Sequence, residues 1–313
     1  MGKVFEAINR AEVEAGHTEP DVRAERDARA EPDAPEFDSD QAGEANEAGE
    51  PSGSQRFSFV RYSLGVGPSL ERGRTNGHAA AASALVRRSP AEAVREVTID
   101  PSRVDPHLVA FSSFNPRAAE QYNKLALSLI SRSAERGLKR VLIASAEKGE
   151  GRTTTALNLA CALARAHQRV LVVDCDFAQP GVAKALGINC EVGLAEMFER
   201  GLPPGEAAVR IRPYGFDVVP TRRRVENSVG LLAAPAFWKI LQTFDDNHDF
   251  ILFDSSPLLG FGDSSLLVRF TDTTLLVVQA GRLTSSELSR AMSPFTQDDI
   301  LGVVMNRAGE QTN

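Results

Sequence analysis

Missing from this chain is any apolar run approaching the roughly 18 to 20 residues that a bilayer-crossing helix needs, and the N-terminus lacks the apolar core of a secretory signal. No segment is therefore read as spanning a membrane. Excess basic charge is also missing: 42 acidic residues against 35 basic ones give a formal charge of -7 and a pI near 5.4. That leaves no electrostatic footprint for nucleic acid, which is excluded as a main partner. Cysteine is scarce, and Cys161, Cys175 and Cys190 have no metal-ligand spacing, so they read as core residues in a reducing cytoplasm. Tyrosine occurs only at positions 62, 122 and 214, and the C-terminal MNRAGEQTN has none.

What is present is unevenly distributed. Between Glu12 and Glu50 fourteen acidic residues face three basic ones, with Ala, Gly, Pro and Ser filling the gaps. Such a stretch cannot bury enough apolar surface to offset the entropy of ordering it. The expected organisation is a short amphipathic helix over 1–15, a disordered acidic and low-complexity linker over 16–101, and one folded domain over 102–313. In the first segment Val4, Phe5, Ile8 and Ala11 share a helical face. A frayed helix and a docking peptide both fit that pattern. Gly2 does not read as a myristoylation site, because position 6 is Glu.

In the folded part, Asn115 before Pro116 marks a helix start and Gly137 its stop. Apolar runs rich in Val, Ile and Leu follow at 141–145, 170–174, 250–254 and 274–280, with a fifth closing the chain and a minor one at 216–220. Helical spacing lies between them. Continuous apolar strands alternating with helices imply an α/β fold with a doubly wound, mostly parallel sheet. Ligands of such sheets bind at the carboxyl ends of the strands.

Three runs end there in chemistry. The first leads into SAEKGEGRTTTALNLA, where Ala146 to Thr153 has phosphate-loop spacing except for Ala146 in place of the first glycine and Arg152 in place of lysine. Gly149 and Gly151 let backbone N–H groups turn around an anion, and the next helix offers its N-terminal amides. Thr153 suits Mg²⁺. The second run ends in Asp174 with Asp176 two residues on, and the third in Asp254. An ordinary helix cap explains any single strand-end acid. Three of them with a glycine loop, in this order, favour a site for a Mg²⁺-bound nucleotide, with carboxylates near the metal and the attacking group.

SAEKGEGRTTTALNLA, VLVVDCDFAQPGVAKALGI, GLAEMF, FDVVPTRRR, LLAAPAFWKIL, DFILFDSSPLL and LGVVMNRAG together resemble the cytoplasmic domain of bacterial tyrosine kinases of capsule and exopolysaccharide export. These are relatives of the partition-type deviant Walker ATPases, and the resemblance covers residues 102–313. It implies a P-loop NTPase fold, ATP and Mg²⁺ as cofactors, and a cytoplasmic protein recruited to the inner face of the membrane by a separate adaptor. It also implies a homo-oligomer. Thr153, Asp174 and Asp254 become the metal partners, and Arg152, Asp174 and Asp176 the catalytic set. Lys148, Gly149, Glu150, Gly151, Arg152, Thr153 and Thr154 become the phosphate cradle, and Asn306 and Arg307 neighbours of the adenine.

The chain departs from that family at Arg152, at Ala178 (usually arginine), at Asn123 and Ala126 (arginines of a ring contact), and in its tyrosine-free tail. Losing one well-placed charge stabiliser costs about 2.7 to 4 kcal/mol of barrier. The expectation is an ATP-binding, kinase-like component with weak or regulatory catalysis. The alternative is a non-catalytic ATP-dependent switch, or a partition-type ATPase, working through partner docking.

Overall fold

The computed structural model describes residues 59–64, 94–112, 115–260 and 262–308. The expected helix over 1–15 and most of the expected linker lie outside these residues. A nine-stranded sheet runs through the domain. Its strands are β1 (Phe59–Leu64), β2 (Arg95–Thr98), β3 (Arg140–Ala144), β4 (Val170–Cys175), β5 (Val209–Arg212), β6 (Phe216–Val219), β7 (Phe250–Ser255), β8 (Thr273–Gln279) and β9 (Ile300–Ala308). Their spatial order is β1-β9-β8-β3-β7-β4-β6-β5-β2. From β9 to β6 every neighbouring pair is parallel, while β1 on β9 and β5 on β6 are antiparallel.

The parallel centre follows from the apolar runs. Alternate residues of a strand face opposite sides, and in β3 Val141 and Ile143 enter one core while Leu142 and Ala144 enter the other. Both faces must then be covered. Helix α1 (Pro116–Arg136) and helix α2 (Arg152–Arg165) pack on the first face, with Tyr122, Leu125 and Leu129 of α1 buried against Ala156, Leu159 and Ala160 of α2. Burying such a leucine contributes roughly 1.5 to 3 kcal/mol. The ends of α1 are those the sequence predicts. Asn115 Oδ1 accepts from the Ala118 amide at 2.9 Å, and Gly137 takes the left-handed conformation (φ 70°) that closes the last turn.

The expected linker boundary at residue 101 is corrected by the structure. Strands β1 and β2 both lie inside 16–101, β1 hydrogen-bonded to β9 and β2 to β5. Edge strands this short, with charged residues among the apolar ones, make no continuous apolar run, and only their neighbours in the sheet reveal them. Strand β5, reading VRIR, escaped notice for the same reason. Among the described residues no helix is long and apolar enough to cross a membrane.

Candidate nucleotide site at the carboxyl edge of the sheet

Strands β3, β4 and β7 are adjacent, and their carboxyl ends bring the phosphate-loop stretch, Asp174 and Asp254 to one place. Asp174 and Asp254 are direct cross-strand neighbours. The loop turns on Gly149 (φ 85°) and Gly151 (φ 99°), a region closed to most side chains. A Cβ on Gly151 would also stand 2.1 Å from Asn306 Nδ2, so the last strand touches the loop directly. Helix α2 starts at the next residue and aims its free amides at the same space.

Thr153 Oγ1 donates to Asp254 Oδ2 at 2.6 Å. The other carboxylate oxygen of Asp254 is buried and has no partner. Burial pushes the Asp254 carboxyl up to about 7, against the opposing pull of Arg152 and of the Thr153 hydrogen bond. A hydroxyl beside a half-satisfied buried carboxylate fits a hard, oxygen-seeking cation such as Mg²⁺, which takes few protein ligands and keeps several waters. Among the described residues no group of three or more His, Cys, Asp or Glu side chains is placed to hold a metal. Thr153 and Asp254 are residues that could hold such an ion, which would supply charge against phosphate oxygens there.

Asp174 is placed otherwise than expected of a metal ligand. One of its oxygens accepts from the Gly181 and Val182 amides, both at 3.1 Å, and the other from the Asp176 amide at 3.2 Å. Burial first, and then the nearby Asp254, push its carboxyl well above the usual range. The reason lies in the chain that follows it: a turn and the short helix Val182–Ala185 leave amides unsatisfied, and Asp174 is the acceptor within reach. Asp176 is tied as well, by the Gln179 amide at 3.0 Å and the Ser256 hydroxyl at 3.1 Å.

Arg152, expected at the phosphates, folds in among the ends of the strands. Its Nε donates to the Ser255 carbonyl at 2.8 Å, one terminal nitrogen to the Glu147 carbonyl at 2.9 Å and to the Ser145 hydroxyl, and the other pairs with Asp176 at 3.4 Å. The side chain is 7% exposed. A guanidinium offers five donors in a rigid fork where an ammonium is a single compact charge, and here the fork rivets the loop to the ends of β4 and β7. Glu150, expected in the phosphate cradle, also turns inward. It is fully buried and accepts from the Glu147 amide at 2.7 Å and the Gln279 amide at 3.2 Å, while burial raises its carboxyl above the usual value.

Lys148 is exposed, and Arg282 crosses the loop to pair with Glu147 at 3.3 Å. Asn306 donates to the Glu150 carbonyl at 2.8 Å, and Arg307 reaches Gln279 at 2.9 Å. Beside the loop lies a cavity of about 340 Å³, walled by Gly149, Gly151, Thr153, Thr154, Asn306 and Arg307 on one side. Asp105, His107, Val109, Ala118 and Tyr122 form the rest of the wall, and Arg152 also lines the cavity. The sequence reading missed that second wall, whose residues carry no motif.

A glycine loop between strand and helix, with acids at neighbouring strand ends, defines a P-loop-type nucleotide fold. A family described as "AAA domain" matches residues 138–295, just over half of the chain, and the chain belongs to that family. Among curated relatives, the tyrosine-protein kinase YwqD of Bacillus subtilis is 27% identical over 207 residues, covering 66% of this chain and 87% of that one. The tyrosine-protein kinase wzc of Salmonella typhi is 29% identical over 161 residues, covering 50% of this chain but only 22% of that longer protein. The kinase domain of the Escherichia coli tyrosine kinase ETK superposes with a TM-score of 0.60 at 24% identity, over 67% of this chain and 83% of that one, a likeness of fold. The relatives are thus bacterial tyrosine kinases, as the motifs implied.

Proposed function

We propose that this chain is an ATP-binding, Mg²⁺-dependent, kinase-like component of capsule or exopolysaccharide export, with catalysis restrained by Arg152. The observation that carries the reading is the Thr153–Asp254 pair with its unpartnered buried oxygen beside the glycine loop. Tyrosine kinases among the relatives supply the reaction class, transfer of a phosphoryl group to a hydroxyl. Positioning and charge do most of the work in such transfers. In this chain the loop amides and the α2 N-terminus would bind the phosphates, and Thr153 with Asp254 would orient the metal. Asp174, next to Asp254, is the carboxylate nearest a reacting hydroxyl in this reading, and Asp176 holds Arg152.

Recruitment to the inner face of the cell membrane by a separate adaptor belongs to the same proposal. A homo-oligomer, if formed, uses a contact other than the ring arginines of the family. Ala126 is buried in the core, and Asn123 donates to Glu120 of its own helix at 3.3 Å. Two of the three tyrosines are not presented as acceptors: Tyr122 is buried, and the Tyr214 hydroxyl donates to the Phe111 carbonyl at 2.7 Å.

A second reading, a nucleotide switch without phosphotransfer, is favoured by the engagement of Arg152 on four protein groups. Titration calorimetry with ATP in the presence and absence of Mg²⁺ tests the first element. Binding at micromolar to sub-millimolar ATP that weakens on chelation is expected; none at millimolar ATP refutes it. Arg152→Lys separates the two readings. A rise of about 10² in hydrolysis or transfer to a tyrosine peptide marks the arginine as the brake, whereas unchanged turnover means that arginine already does the lysine's work.

A further inference from the structure

The second wall of the cavity is a strap, residues 99–111, that reaches α1 from β2. It is pinned to the phosphate-loop helix by Asn158, with Cys161 and Arg165 both donating to the Ala110 carbonyl. Asn158 of α2 donates to the His107 carbonyl at 3.1 Å and accepts from the Ala110 amide at 2.8 Å. The Asp105 amide donates to the Ala185 carbonyl at 2.9 Å, which fixes the strap to the segment after Asp174. The wall therefore stands in a set position relative to the anion cradle.

On it, His107 Nδ1 lies 2.8 Å from Asp105 Oδ1, and the same oxygen accepts the His107 amide at 2.8 Å. With Nδ1 turned to the Asp105 carboxylate, Nε2 is the ring nitrogen left for a ligand, and it accepts from a hydroxyl in the tautomer that carries its proton on Nδ1. The second Asp105 oxygen is a further acceptor of the same pair. Neither side chain is spent on packing: Asp105 is 40% and His107 62% exposed. Val109, Ala118 and Tyr122 next to them give the cavity an apolar portion, suited to the uncharged part of a ligand.

We propose that the Asp105–His107 pair reads the ribose hydroxyls of a nucleoside triphosphate whose phosphates lie at Gly149–Thr154, which rests on the nucleotide-binding reading above. Vicinal hydroxyls are donors, and the strap presents two neighbouring acceptors in the same cavity as the phosphate cradle. His107 and Asp105 are then specificity-determining residues, and the phosphates are bound independently of them.

Calorimetry on the full chain with Mg²⁺ tests this with three probes: ATP, 2′,3′-dideoxy-ATP and inorganic tripolyphosphate. The natural chain should favour ATP over the dideoxy compound by about tenfold, the worth of one or two net hydrogen bonds. His107→Ala and Asp105→Asn should each weaken ATP toward the dideoxy level and leave tripolyphosphate unchanged. Asparagine keeps an oxygen for the backbone turn, and circular dichroism melts verify folding of both variants. Equal binding of ATP and dideoxy-ATP by the natural chain overturns the proposal, as do variants that keep the preference or lose tripolyphosphate equally. A natural chain that binds none of the three probes refutes the nucleotide reading itself, a distinguishable result.

Discussion

Asp254 and Asp217 are both aspartates inside strands of one sheet, both hidden from water, and they are held in opposite ways. Asp217, near the start of β6, receives Arg210 on both oxygens at 2.7 and 2.9 Å and His248 Nε2 at 3.1 Å. Burial pushes its carboxyl up, but the hydrogen bonds and charges of His248 and Arg210 outweigh burial and hold it below the usual aspartate range. Asp254, at the other end of β7, has burial as its dominant influence and rests at about 7, with one oxygen unpartnered. A buried acid given an arginine and a histidine as partners by its own chain secures the fold. One left short of partners keeps an oxygen open, which the proposed function assigns to a cation.

The largest expected effect comes from breaking the satisfied end. Asp217→Ala leaves Arg210 and His248 facing a lost partner, and stability to urea should fall by about 3 to 5 kcal/mol. ATP affinity per folded molecule should not change, since the cavity lies at the other edge of the sheet.

Next in size is the pH dependence, whose sign differs between the two ends. The folded-state value of Asp254 stands above the ordinary 3.8, so its contribution is fully present below about pH 4 and drains away as pH rises through about 7. Asp174, also raised, acts in the same direction. Asp217 is lowered, so its contribution is present above pH 3.8 and is lost as pH falls through its folded value. Urea melts at a series of pH values should show Asp254→Asn flattening the slope between pH 4 and 7 by a few kcal/mol, on the order of three pKa units at 1.36 kcal/mol each. The acid limb below pH 4 should remain. Excess Mg²⁺ near pH 7.5 should raise the melting temperature of the natural chain and leave Asp254→Asn unmoved.

The smallest effect sharpens the comparison inside the site. Arg152→Lys cannot reproduce all four hydrogen bonds of the guanidinium, and about 1 to 2 kcal/mol of stability should be lost. If it costs nothing, the rivet is weaker than its geometry implies.

Much of the fold was legible before any coordinates. Asn115, Pro116 and Gly137 bracket α1 because caps and breakers act within a few residues, and the centre of the sheet is readable because a strand buried on both faces needs an unbroken apolar run. Strands β2 and β5 were not legible: REVT and VRIR mix charge with apolar residues, and only their partners mark them as strands. Within the site, Thr153 and Asp254 stand together as motif spacing suggested. Asp105 and His107 gave no signal, because DPH alone is an ordinary turn.

Spacing and periodicity, which are properties of neighbouring residues, settled from the sequence which strands are central, where the glycine loop lies and which acids end the adjacent strands. How the polar groups there are used was decided only by the fold. Arg152 meets Ser255 across 103 positions, Glu150 meets Gln279 across 129, and Asn306 meets Glu150 across 156. A buried donor or acceptor takes whatever partner lies within about 3 Å, and that partner exists only once β3, β7, β8 and β9 lie side by side.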